Sequence, residues 1–333
     1  MRLSGLDTAR FLAFCGMVLV NFRIAAMVEP TGDLPSLVTT ALEGRAAALF
    51  VVLAGIGLTL ANAPALTTLK RAAFLFAIGL LNLTIFDADI LHFYAVYFVC
   101  ALPFITAANR TLWWGIAGVL TLSTAALIGL NYEAGWNWDD YTYSDFWTLT
   151  GLLRHTFYNG WHPVFPWLAF LLFGLWIGRL PLGTHTTQIR LILWGSLVAL
   201  LGFVPGSLTT DPELFELLNT TAIPPGPFYI LSASGSAVAM VGLMLRIEPT
   251  LTRLRISPWL TAPGRQALTL YVAHILIGMG VLDEVGLLDG SLTTVQIFFY
   301  SLIFCALTAL YARAWTRVAK RGPLEALMRR LAG

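Results

Sequence analysis

Few residues in this chain could move a proton: it has five histidines in 333 residues, and two stand beside other polar groups. His162, in Asn159-Gly160-Trp161-His162-Pro163, precedes a proline, which pushes its backbone to extended geometry and sets its ring at the entrance of an apolar stretch. An imidazole titrates near neutral pH, so His162 is a candidate general base, with Trp161 beside it as a substrate contact. The plainer reading is an interfacial histidine bonded to a loop carbonyl. His274 falls deep in the apolar run that follows Gly264-Arg265-Gln266-Ala267-Leu268-Thr269-Leu270-Tyr271. A histidine there is either packed against a polar partner or part of a site, to which Tyr271 would also contribute. Asn21 lies three turns along the same side of a helix as the Asp7/Arg10 pair, whose three-residue spacing lets them bond. That pair reads equally as a capped helix start with a snorkelling arginine.

Charged groups add a second set. Arg45 follows Glu43 at the start of another apolar run and would pair with Glu43 or with an anionic ligand group. His92 lies inside an apolar segment, where ionisable groups are costly and invite a functional reading. Cys15, Cys100 and Cys305 all fall in apolar spans without a CxxC pair, so neither a disulfide nor a metal site is implied.

The elements that must hold these groups are membrane helices. Hydrophobic residues make up 57% of the chain and charged residues 11%, against about 25% charged in soluble domains. Apolar runs suited to crossing a bilayer begin near Thr8, Gly44, Lys70, Ile90, Leu112, Pro163, Gln188, Phe228, Gly264 and Val295. The expected fold is an all-α integral membrane protein, a polytopic bundle of about ten transmembrane helices in one domain spanning 1–333. Basic residues, among them Arg2, Arg10, Arg71 and Arg265, alternate to one side, which places both termini in the cytoplasm. Arg23, Arg45 and Arg154 are the exceptions, and most acidic residues fall on the far side with them. Two external segments are long: 131–162, rich in Trp and Tyr interleaved with acids and expected to lie at the headgroup level, and 206–227, a Pro/Gly-rich lid or turn. The basic tail 313–333 is expected to rest on anionic lipid.

Leu6-Asp7-x-x-Arg10 with Gly16-Met17-x-x-Val20-Asn21, Asp89-Ile90-Leu91-His92-Phe93-Tyr94, Pro166-Trp167 with Gly174, and Gly264-Arg265-x-Ala267-Leu268-Thr269-x-Tyr271 recur in order over nearly the whole chain. In them the sequence resembles bacterial relatives of the heparan-alpha-glucosaminide N-acetyltransferase catalytic domain family, and a neighbouring uncharacterised multi-pass family. The resemblance implies transfer of an acyl group from cytoplasmic acyl-CoA (acetyl-CoA), with no metal, to an acceptor across the membrane. Asn21 matches the asparagine closing the family's first-helix motif. The family's catalytic histidine in the following loop has no counterpart here, since residues 28–40 contain none. Either His162, and after it His274, replaces that base, or the activity is lost. Arg10, Arg71 and Arg265 would hold coenzyme A phosphates, and Asp7, Arg45, His92, Trp161 and Tyr271 would meet substrate. The implied setting is a bacterial inner membrane. The expected partners are lipids and a small-molecule or glycan acceptor, with a homodimer left open and nucleic acid excluded. A transporter or flippase, with Arg45, His92 and His274 lining a pathway, is the alternative from another class.

Overall fold

A computed structural model describes residues 3–333, apart from the side chain of Glu213; Arg2 lies outside the described residues. Every apolar run named above forms a helix. In chain order these are α1 (Ser4–Ala25), α2 (Leu34–Leu42), α3 (Arg45–Ala61), α4 (Ala65–Asn82), α5 (Leu91–Ile105) and α6 (Asn109–Gly129). A hairpin of β1 (Trp136–Asn137) and β2 (Thr142–Tyr143) leads to α7 (Leu149–Arg154), a π-helical turn His155–Asn159, and α8 (Val164–Gly178). There follow α9 (His185–Leu208), α10 (Pro212–Leu218), α11 (Pro227–Arg253), α12 (Ser257–Gly264) and α13 (Ala267–Ala273), then a second π-helical turn His274–Met279 that runs into α14 (Gly280–Glu284). The chain closes with α15 (Thr294–Trp315) and α16 (Pro323–Ala332). Among the described residues eight helical segments are long and apolar enough to cross a membrane. The segment from α7 to α8, bent by 51°, makes a ninth, and α5 is a shorter apolar helix. The protein is an all-α, multi-pass membrane protein.

Local chemistry sets the boundaries. Asp33, Thr148, Thr184 and Thr293 each accept a hydrogen bond from a backbone N–H in the first turn of α2, α7, α9 and α15 respectively, satisfying donors that a helix start leaves unpaired. Gln296 returns the bond to the Thr293 backbone and completes a capping box. The span expected from Gly264 to Leu282 runs from Ala267 to Glu284. Pro263 and Gly264 close α12, Gln266 has a non-helical backbone, and a new helix starts at Ala267. The segment 131–162 is also more than a belt. Asn159 donates to the carbonyls of Tyr132 and Ala134 and accepts from the Tyr143 hydroxyl, and Arg154 pairs with Asp145, so the aromatic residues fold into a cap.

α1 runs through the centre, packed by α3, α11, α12 and α15. At the end of the bundle that carries both termini, buried Glu248 accepts from Thr8 at 3.1 Å and from Ser257, tying α11 to α1 and α12. On its other flank α3 meets α8 backbone to backbone: a Cβ at Gly55 would lie 2.2 Å from the Leu171 carbonyl, and one at Gly174 2.2 Å from that of Val52. Replacing Gly55 by Leu should therefore destabilise the protein by about 2 kcal/mol or more through overpacking. Gly118→Ala, with open space around it, should leave thermal unfolding in detergent within about 1 kcal/mol of wild type.

Candidate functional site

Most of the polar residues singled out above gather around two cavities at opposite ends of α1. At the termini-bearing end a cleft of about 340 Å³ is lined by Asp7, Arg10, Arg71, Arg265 and Tyr271 together with Tyr94. Arg10 bonds Asp7 at 2.7 Å, one turn away. Arg265 is exposed and makes only a long 3.4 Å bond to the Thr261 carbonyl, and no described carboxylate pairs with it. Arg71 Nε and the Tyr94 hydroxyl are buried without a protein partner. Three guanidinium groups and two unsatisfied donors on one open cleft are the groups that binding of a large anion would require.

The mouth of this cleft is built by α16. Glu325 accepts from the Leu268 and Thr269 backbone N–H groups, at 2.8 and 3.2 Å, and from the Thr269 hydroxyl at 2.6 Å. It serves as the missing N-cap of α13 from a distant part of the chain, which explains why α13 can restart after the break at Gly264. Gly264 matters for a second reason. A Cβ there would lie 1.8 Å from the Asp7 carbonyl, so α12 reaches α1 only because the side chain is missing.

At the opposite end, a second and much smaller cavity of about 40 Å³ is lined by Asn21, Trp161, His162 and Trp167. Three polar atoms on it, His162 Nδ1 and the indole nitrogens of Trp161 and Trp167, are buried without a protein partner. The Trp167 ring meets His162 edge-on at 4.6 Å between centroids, and the Tyr97 hydroxyl donates to the His162 carbonyl, so the imidazole is held in place while its own nitrogens stay unbonded. Met17 lines both cavities and forms the wall between them.

His274 lines neither cavity. Its Nε2 lies 3.0 Å from Asn21 Nδ2, and its Nδ1 faces the Tyr271 carbonyl. The carbonyl can only accept, so Nδ1 carries the proton, and Nε2 accepts from the Asn21 amide. Phe14, Phe22 and Tyr271 pack around the ring and exclude water. Arg45 does not pair with Glu43, which bonds Arg23 at 2.8 Å; Arg45 donates to the Thr220 hydroxyl at 3.0 Å beside the second cavity. His92 is fully buried, 3.7 Å from Asp89 and stacked near His155, and lines neither cavity.

Sequence reasoning quoted Asp89 only as the first residue of the Asp89–Tyr94 motif, without a role, and passed over Asn82. Asp89 is fully buried and accepts from Asn82 Nδ2 at 2.9 Å, the Leu91 N–H at 2.7 Å and the Tyr271 hydroxyl at 3.2 Å. Its place in that motif and just before an apolar run was the signal; nothing local brings it to Tyr271, 182 positions away. Beside the second cavity lies an acidic vestibule with Asp87, Asp140, Asp283 and Tyr141, which shares the wall residue Trp161. Burial, and after it the charge of Asp140, raises the Asp87 carboxyl, whereas hydrogen bonds from Thr142 lower Asp140.

The family model described as heparan-alpha-glucosaminide N-acetyltransferase, catalytic, matches residues 2–205. A second, described as a protein of unknown function (DUF418), matches residues 180–333. No curated protein matches the chain. The cleft draws Arg10 and Arg71 from the first stretch and Arg265 and Tyr271 from the second, and the Asn21–His274 bond joins the two. Asp89→Ala strands the donors of Asn82, Leu91 and Tyr271 and should lower stability by about 3 kcal/mol, while Tyr271→Phe, which strands the Ile90 N–H that the hydroxyl accepts from, should cost about 2 kcal/mol, both read from thermal unfolding in detergent.

Proposed function

The chain belongs to the heparan-alpha-glucosaminide N-acetyltransferase catalytic family, and from that premise we propose that it moves an acetyl group from acetyl-CoA at its termini-bearing, cytoplasmic end to a hydroxyl or amine acceptor at the other. The setting is a bacterial inner membrane, with the basic ends of the helices inside. The observation that carries this reading is the pair of cavities that share Met17: an arginine-lined cleft on one side, and a cavity holding His162 and Asn21 on the other.

The donor supplies an activated thioester carbonyl. Arg10, Arg71 and Arg265 hold its phosphates, and the cleft leads its acyl end towards Met17. In the second cavity His162 takes the proton of the acceptor hydroxyl or amine as the acceptor oxygen or nitrogen bonds the carbonyl carbon. The carbon–sulfur bond breaks and coenzyme A leaves as the thiol, taking a proton from water in the cleft, while His162 returns its own to water in the cavity. The Asn21 amide spends one N–H on His274 and keeps the other for the oxyanion that forms on the carbonyl. His274 is a positioning residue: both its nitrogens are engaged, and it fixes which way the Asn21 amide faces. His162 thereby stands in for the loop histidine that residues 28–40 lack.

Calorimetry on the detergent-purified protein should show saturable acetyl-CoA binding that Arg265→Ala weakens about tenfold, the cost of one charged phosphate contact. In vesicles of bacterial polar lipid supplied with amino sugars, His162→Ala should lower thiol release about 100-fold or more without changing that affinity. Undiminished release would remove His162 from the mechanism, and no acetyl-CoA binding by wild type would remove acetyl transfer.

A further inference from the structure

Three arginines stand at the loop-bearing end against the general placement of basic residues, and the structure treats them differently. Arg23 pairs with Glu43, and Arg154 with Asp145. Arg45 has no carboxylate partner among the described residues and only the neutral Thr220 hydroxyl as a side-chain bond. An arginine at a membrane surface without a counter-charge is a ready fork for an anionic oxygen group.

Its surroundings say what kind of anion. Arg45 lies in a groove of about 880 Å³ between α2, α9, α10 and α11. One wall is polar, with Asn219 and Thr221 next to Thr220; the other is apolar, with Leu37, Leu200 and Phe203. Those three side chains are 60%, 63% and 55% exposed, on a bundle whose outer surface is the lipid-facing one. The groove shares Glu43, Ala222 and Ile223 with the cavity that holds His162 and Asn21, so the two lie against each other. Glu43, the one acid among the described residues that line the groove, has its charge answered by Arg23. The acidic vestibule beside the cavity carries Asp87, Asp140 and Asp283 and repels anions.

We propose that this groove binds a membrane amphiphile with a phosphate head: the phosphate on Arg45 and Thr220, the hydrocarbon tail along Leu37, Leu200 and Phe203, and the hydroxyl or amine to be acetylated directed past Glu43 and Ala222 towards His162. The acceptor is thus a lipid-linked molecule drawn from the bilayer. The role as acceptor rests on the acetyl-transfer reading above; binding in the groove does not.

The test is binding of farnesyl phosphate to the purified protein in a neutral maltoside detergent, with inorganic phosphate as the head alone and farnesol as the tail alone. Farnesyl phosphate should bind saturably, and Arg45→Gln and Phe203→Asp should each weaken it about tenfold or more while thermal unfolding and acetyl-CoA affinity stay as in wild type. Inorganic phosphate and farnesol should each bind at least tenfold more weakly than the intact amphiphile. Equal affinity of wild type and Arg45→Gln, or of inorganic phosphate and farnesyl phosphate, would overturn the proposal, and so would farnesol binding as tightly as its phosphate. If Arg45→Gln unfolds, Phe203→Asp and Thr220→Val decide in its place. A wild type that binds farnesyl phosphate but not acetyl-CoA would sink acetyl transfer and leave the groove assignment standing.

Discussion

The hydrogen bond between Asn21 on α1 and His274 at the start of the second π-helical turn fixes the wall on which both cavities depend. An amide and an imidazole in an apolar bundle each need a partner, and here they have each other. Interhelical bonds of this kind contribute only about 0.6 kcal/mol on average, so the bond matters less for overall stability than for register. It sets how far α1 has advanced relative to α13, and hence where Met17 lies between the cleft and the outer cavity. The π-helical geometry fits this role, because one extra residue in the turn lets the His274 ring reach α1 while Nδ1 faces the Tyr271 carbonyl of its own helix.

The same rule sorts the remaining polar groups into two kinds. Glu248, Asp89 and Glu325 have several donors each and join helices far apart in the sequence: α11 to α1 and α12, the α4–α5 connection to Tyr271, and α16 to α13. They are the framework. His162, Trp161, Trp167, Tyr94 and Arg71 keep buried polar atoms without partners and line a cavity, whereas Arg23, His92, His155, Thr156, Tyr229 and Gln266 keep such atoms away from both. Unsatisfied polar atoms are expensive in an apolar interior. Those on the two cavities are the ones a ligand could reach.

Much of this was legible in the sequence. The ten apolar runs appear as helices because length and hydropathy decide where a chain can cross lipid, and the basic residues of the termini-bearing face converge because the same alternation places them at one end. Arg10, Arg71 and Arg265 met in one cleft for that reason. The pairing of Arg23 with Glu43 instead of Arg45 was not legible: Glu43 is two residues from Arg45 and twenty from Arg23, and only the approach of α1 to the start of α3 makes the distant partner the nearer one. Likewise the break after Gly264 depends on Glu325, 57 positions from the Leu268 N–H it caps, and the reach of Asp89 to Tyr271 depends on tertiary packing of the α4–α5 connection.

Whether the two cavities meet at α1 is the central claim, and a cysteine at Met17 tests it most directly. In a background with Cys15, Cys100 and Cys305 replaced by Ala, Met17→Cys is reconstituted into sealed vesicles, and a membrane-impermeant maleimide is added to one face at a time. Alkylation from each face, suppressed in both cases by acetyl-CoA at the termini-bearing face, is the result expected of a shared wall. Reaction from neither face, from one face alone, or at a rate indifferent to acetyl-CoA would contradict it.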